Sequence, residues 1–104
     1  MNPWHALYPL LPQLVDKLEE IGHPLLVVEA DGEVVARLVR PSRADLEAHA
    51  RWPGMPTHTP EGWLFEALNK VRRYYPEPRE GVALYAGNHP VAVVRRKEKV
   101  GHAA

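Results

Sequence analysis

Residues 25–40 read LLVVEADGEVVARLVR, with Asp31-Gly32 at the centre of two β-branched runs. A two-residue type I′ turn needs positive φ at both central positions, and Asp-Gly is a strong signal for it. The stretch is therefore expected to be a β-hairpin, Leu25–Ala30 against Glu33–Arg40. Ala30 would face Glu33, and Val28 would face Val35. In that register Leu25, Val27, Val34, Ala36 and Leu38 share one face. Leu26, Val28, Val35 and Val39 share the other, with Arg37. Both faces are largely apolar, so the hairpin should be covered on both sides or lie within a larger sheet.

Upstream, Leu7, Leu10, Leu11, Leu14, Val15, Leu18 and Ile21 recur at spacings of three and four. That is one apolar stripe of a helix, expected over about residues 9–21. Pro9 and Pro12 suit its first turn, and Gly22 its end. Downstream, Ser42 followed by Asp45 resembles a capping box and opens a short helix that ends by Arg51. Trp52–Pro60 (WPGMPTHTP) is too rich in Pro to be regular. Thr59-Pro60-Glu61 then begins a second long helix, with Thr59 as cap. Its stripe is Leu64, Ala67, Leu68, Val71, Tyr74 and Tyr75, and Pro76 stops it. Val82–Ala86 and Val91–Arg96 form a second hairpin around Gly87-Asn88. Pro90 lacks a ladder donor, which places it at an edge or a bulge.

The two hairpins align without a gap. Val27–Arg40 lies over Ala83–Arg96, with Ala30/Ala86, Val35/Val91, Ala36/Ala92 and Arg40/Arg96 identical. An internal repeat is expected: helix–hairpin units at 9–40 and 60–96, joined by a short helix and Pro-rich loop at 42–60. The whole of 1–104 is then one α+β domain. Its hairpins form a roughly four-stranded antiparallel sheet covered by two longer helices. A chain of this length removes roughly 65% of its unfolded surface from water, so the core is thin. Leu14, Leu18, Leu64, Leu68 and Val71 are its expected members.

Lys and Arg total 13, as do Asp and Glu, so no net field draws the chain to nucleic acid or membrane. The charge is divided, however. Residues 1–52 carry five basic and eight acidic side chains, and residues 53–104 eight and five. There is no cysteine, which excludes disulfides and thiolate chemistry and fits a cytoplasmic setting. No signal peptide or membrane span is legible.

The residues give no catalytic signature. Ser42 is the only serine and is needed as a cap. The histidines are scattered, and His49, His58 and Glu61 could meet only across the Pro-rich loop. Neither a metal nor a cofactor is expected, and the chain reads as a non-enzyme. Two binding constellations stand out. Lys70, Arg72 and Arg73, beside Tyr74 and Tyr75, and Arg95, Arg96 and Lys97 at the end of the last strand, suit phosphate contacts. Trp52, Met55 and Trp63 around the Pro-rich loop suit a protein partner. Two apolar-faced hairpins also point to self-association as a homodimer.

The run Leu10–Ala48 resembles the N-terminal module of the prevent-host-death (Phd/YefM-type) antitoxins. The pattern is a leucine-spaced helix, LLPQLVDKLEEIG, and then a strand, HPLLVVEADG. A second strand, EVVARLV, and a helix, PSRADLEAH, follow. Pro24, Gly32, Val35-Ala36 and Leu38 sit where that pattern would put them. The resemblance implies a dimer that binds operator DNA through this module, by way of Arg37, Arg40 and Arg43. It also implies a C-terminal segment that neutralises a toxin. The expected function is thus a small regulatory or binding protein, antitoxin-like. The alternative is a protein-interaction or assembly module without nucleic-acid binding, any nucleic-acid contact being weak and carried by the C-terminal half.

Overall fold

The computed structural model describes residues 2–49 and 59–96. It is an α+β fold with a four-stranded antiparallel sheet. Helix α1 spans Pro3–Leu7, a 3₁₀ turn follows at Tyr8–Leu10, and α2 spans Leu11–Ile21. Strands β1 (Leu25–Ala30) and β2 (Glu33–Val39) lead to α3 (Arg43–His49). Then come α4 (Pro60–Tyr74), β3 (Gly81–Ala86) and β4 (His89–Arg95). The spatial order is β2-β1-β3-β4, so the two inner strands pair with each other and β2 and β4 are the edges.

The N-terminus departs from the single helix expected at 9–21. Leu10 has φ −93° and ψ 1°, which breaks the spiral before α2. Asn2 caps α1 by accepting from the Trp4 N–H, and Pro3 sits at its first position, where a missing donor costs nothing. Both α3 and α4 begin as expected. Ser42 Oγ accepts from the Asp45 N–H at 3.1 Å, and Asp45 Oδ2 accepts from the Ser42 N–H at 3.3 Å, a reciprocal box. Thr59 Oγ1 accepts from the Gly62 N–H at 3.0 Å.

The Asp31-Gly32 turn has φ of 55° and 81°, as a type I′ turn requires. Ala30 does face Glu33, and Glu29 faces Val34, but the expected register fails at the next step. A bulge at Val28/Glu29 leaves Val35 without a partner, and Val28 faces Ala36. One extra residue turns the rest of the strand over. Leu26, Val28, Ala30, Ala36 and Leu38 therefore point to the core. Leu25, Val27, Glu29, Val34, Arg37 and Val39 point to the other side.

The second hairpin repeats this geometry. Adding 56 to each β1–β2 pair returns a β3–β4 pair, so Val28↔Ala36 becomes Leu84↔Ala92 and Glu29↔Val34 becomes Tyr85↔Pro90. Its bulge falls at Val91, beside Pro90. The inner pairing includes Val28↔Leu84, each the counterpart of the other. Two backbone bonds across the centre exchange under the same shift: Asp31 N–H to Gly81 O at 3.0 Å, and Gly87 N–H to Leu25 O at 2.8 Å.

One core lies between the helices and one face of the sheet. It holds Leu14, Leu18, Leu64, Leu68 and Val71, with Leu26, Val28, Val82 and Leu84 from the inner strands. Trp4 and Leu7 of α1 are also fully buried there. Tyr74 and Tyr75 do not continue the stripe of α4. They are 82% and 44% exposed, because the helix ends at Tyr74 and Tyr75 leaves helical geometry at φ −132°.

Asp31 has a second role. Its Oδ1 accepts from the backbone N–H of Glu80 at 2.7 Å and of Gly81 at 3.2 Å, and its Oδ2 accepts from Arg79 N–H at 3.1 Å. The carboxyl is held below its ordinary range, first by the Glu80 bond and next by that of Arg79. A depressed folded value means the contribution is complete above the unfolded carboxylate's value and is lost as pH falls through the folded one. Asp31→Asn keeps an acceptor at Oδ1 but loses the charge and the bond to Arg79. It should cost about 1 kcal/mol at neutral pH, the exposed site being screened. In denaturant titrations the gap to the parent should narrow below about pH 4. A gap that stays constant down to pH 2 would sink this account.

Candidate interaction surface

The uncovered sheet face is built in two cross-strand rows. Arg37, Val27, Tyr85 and Pro90 form one, and Val34, Glu29, Ala83 and Val93 the other. Side chains alternate across a strand, so these all project from the face opposite the core. An antiparallel sheet with one solvated face normally alternates apolar-in with polar-out. This one does not. Val34, Val39 and Val93 are 41%, 77% and 54% exposed, and half-buried Leu25 and Tyr85 lie between them. Val27 and Ala83 at the centre are already buried. The charges on the face are Glu29, Arg37 and Arg95. Two shallow depressions, of about 420 and 410 Å³, flank Glu29 and Tyr85, which line both.

The basic residues singled out in the sequence fall in different places. Lys70 lines a groove of about 330 Å³ between α4 and β2, with Val35, Ala36, Val71, Tyr74 and Tyr75. Arg72, on the opposite side of the helix, lies 3.2 Å from His5 Nε2 and 5.8 Å above the Tyr8 ring. Arg73 is exposed in the last turn, where a cation is favoured by the helix dipole. Arg95 and Arg96 line the larger depression with Arg79, a residue the sequence reading did not single out. The guanidinium of Arg96 donates to Pro78 O at 3.5 Å. Glu29, Asp31 and Glu80 share that depression, so its charge is mixed. Lys97 lies outside the described residues.

Among the partner-binding candidates, Trp52 and Met55 lie outside the described residues. So does most of the Pro-rich loop, including His58. Trp63 is half-buried and packs on the core, lining a small cavity with Leu18, Arg40, Leu46 and Leu64. The N-terminal cations are largely engaged. Arg43 pairs with Glu19 at 2.9 Å, and Arg40 Nη2 donates to Leu18 O at 3.4 Å. Arg37 is exposed. Among the described residues, no group of three His, Asp or Glu side chains could hold a metal, no polar residue is buried as a whole although the Arg40 Nε is buried without a partner, and no helix is long and apolar enough to cross a membrane.

No family model, curated protein or solved structure matches the chain.

Proposed function

We propose that the protein is a non-enzymatic interaction module that self-associates through its open sheet face. The observation that carries this reading is the apolar surface of that face, Val34, Val39 and Val93 around Leu25 and Tyr85. The valines are exposed on both edge strands, with the single carboxylate of Glu29 between Val34 and Val93, and apolar side chains left open across a sheet face mark an interaction site. A second sheet stacked on it at about 10 Å would bury these valines as a sandwich does. We also read the two hairpins as a tandem duplication. The shared shift of 56 in register, bulge and central hydrogen bonds supports it.

The antitoxin-like reading is kept as the second. The order helix–strand–strand–helix over α2, β1, β2 and α3 favours it. Its DNA contacts, however, would come from Arg37, Arg40 and Arg43, of which two are already bonded within the chain. Counterion release needs free cations, so duplex binding should be weak and steeply salt-dependent.

Sedimentation tests the first reading. The parent should dimerise at micromolar concentration. Val34→Asp with Val93→Asp should weaken the dimer at least about tenfold, since a buried unpaired carboxylate is costly. A parent that stays monomeric at high micromolar concentration removes the open-face dimer. A sequence-selective DNA complex lost on reversing Arg37, Arg40 and Arg43 would install the antitoxin reading instead.

A further inference from the structure

We infer that the free edge of β2 is a strand-addition site for an extended protein segment that is apolar and carries a carboxylate on each face. The inference rests on the interaction-module reading and adds the mode and chemistry of the partner. It begins from an asymmetry between the two edges. Strand β4 is blunted: Pro90 removes a ladder donor, and α1 and α2 pack against the strand. Strand β2 has neither device. Its sequence, EVVARLV, has no proline and no lysine; its blunting devices are Arg37 and the bulge at Val35, which leaves Ala36–Val39 regular.

Both sides of this edge are prepared for side chains. On the core side lies the groove between β2 and the last turns of α4. Val35, Ala36 and Val71 form its floor, with Tyr74 beside them and Lys70 at its rim. On the open side stand Val34 and Val39, with Arg37 between them in the chain. Lys70 and Arg37 are both exposed, and the one ion pair among the described residues is Arg43–Glu19. An extended strand along β2 would send alternate side chains to the two sides. Apolar side chains fit the groove and the valines, and a carboxylate on either face meets a cation.

A second copy of the chain fits this edge poorly. Two β2 strands related by a two-fold must place opposite residues on a common face. The bulge at Val35 confines regular pairing to the second half of the strand. The register that uses most of it centres on Arg37, which then opposes itself, and like charges directly opposite are destabilising. Centring on Leu38 leaves the first half of the strand unpaired.

The test uses the whole chain, labelled with ¹⁵N, and the capped peptide Thr-Val-Val-Glu-Glu-Val-Val-Thr. Its adjacent glutamates place one carboxylate on each face. Amide shifts should concentrate on Ala36–Val39 and the last turn of α4. The peptide with both glutamates replaced by lysine should bind about tenfold more weakly, and Arg37→Glu with Lys70→Glu should reverse that order. N-methylation of the peptide's edge-facing amides should cost at least about tenfold. Equal binding of the two peptides, shifts centred elsewhere, or no shift at millimolar peptide would overturn the inference. So would a dimer of the parent whose β2 amides are the protected ones, which would give the edge to a second copy. The two proposals separate cleanly. Loss of the dimer in the Val34/Val93 variant, with no binding of the peptide by the parent, keeps the module and removes the edge site. Peptide binding at β2 in a chain that never dimerises keeps the edge site and removes the open-face dimer.

Discussion

Trp4→Ala is expected to lower stability by about 3–5 kcal/mol, the cost of removing a fully buried aromatic side chain. Whole domains are stable by only about 5–15 kcal/mol, so one substitution near the N-terminus should consume much of the margin. Trp4 has no exposed surface and sits in the same cluster as Leu18, Leu68 and Leu84. Its indole Nε1–H also donates to Tyr75 O at 2.6 Å, just past the end of α4. Asn2 reinforces the same junction, donating from Nδ2 to Pro76 O at 2.7 Å. The ring thus fastens α1 to the exit of α4 as well as filling the core. Trp4→Phe separates the two effects. It keeps an aromatic ring but leaves the carbonyl without its indole donor, and should cost about 1–3 kcal/mol in polar terms. Denaturant midpoints measure both. A Trp4→Ala midpoint within error of the parent would show that α1 is detached in solution.

Nothing local announces Trp4 as a core residue. A helix of five residues is too short to display a period, and the apolar stripe that is visible begins at Leu7. The long helices were legible for the opposite reason: Leu14–Leu18 and Leu64–Val71 hold a 3.6-residue rhythm, and Thr59 and Ser42 carry cap chemistry of their own. The Asp31-Gly32 turn was legible because few residues tolerate positive φ. Its register was legible for the first two pairs only. The bulge at Val35 has no marker within its own strand. What reveals it is the same bulge in β4 beside Pro90, a residue that cannot continue a ladder.

That one-residue slip also hid the candidate surface. With Val28 set opposite Val35, both faces of the hairpin look equally apolar. With the bulge in place, Ala36 and Leu38 join the core, and Arg37 and Val39 join the open face with Val34. The cations misled for a similar reason. Lys70, Arg72 and Arg73 are close in sequence, but a helix turns about 100° per residue and sends Lys70 and Arg72 to opposite sides. The Asp31 carboxylate meets Arg79, Glu80 and Gly81 through the pairing of β1 with β3, which no local pattern encodes.

Gly81→Ala should be as damaging as the loss of Trp4, at about 3 kcal/mol or more, although it adds a single methyl group. A Cβ built there would lie 2.2 Å from Val94 O and 2.9 Å from the Arg95 Cα, both backbone atoms of the adjacent strand. A side chain can rotate away from such a contact, whereas a paired strand must separate. The residue also sits at φ 159° and is bonded on both sides to Asp31, by its carbonyl at 3.0 Å and its N–H at 3.2 Å. Leu25 is its counterpart in the first hairpin and carries a full side chain, so the restriction belongs to this one approach of β4. Gly87→Ala is the control. Its Cβ would meet the exposed His23 ring at 2.6 Å, a side chain that can rotate at the cost of one bond from the Leu25 N–H, at φ 62°. That variant should lose only about 1 kcal/mol, the usual cost of a left-handed conformation without glycine. Equal losses at the two positions would mean that β4 peels from β3 without resistance. If it resists, the strain in Gly81→Ala falls on Val94 and Arg95, beside Val93 on the open face, with β1 lying between it and β2. The variant should then lose the open-face dimer while still binding the glutamate peptide at the β2 edge.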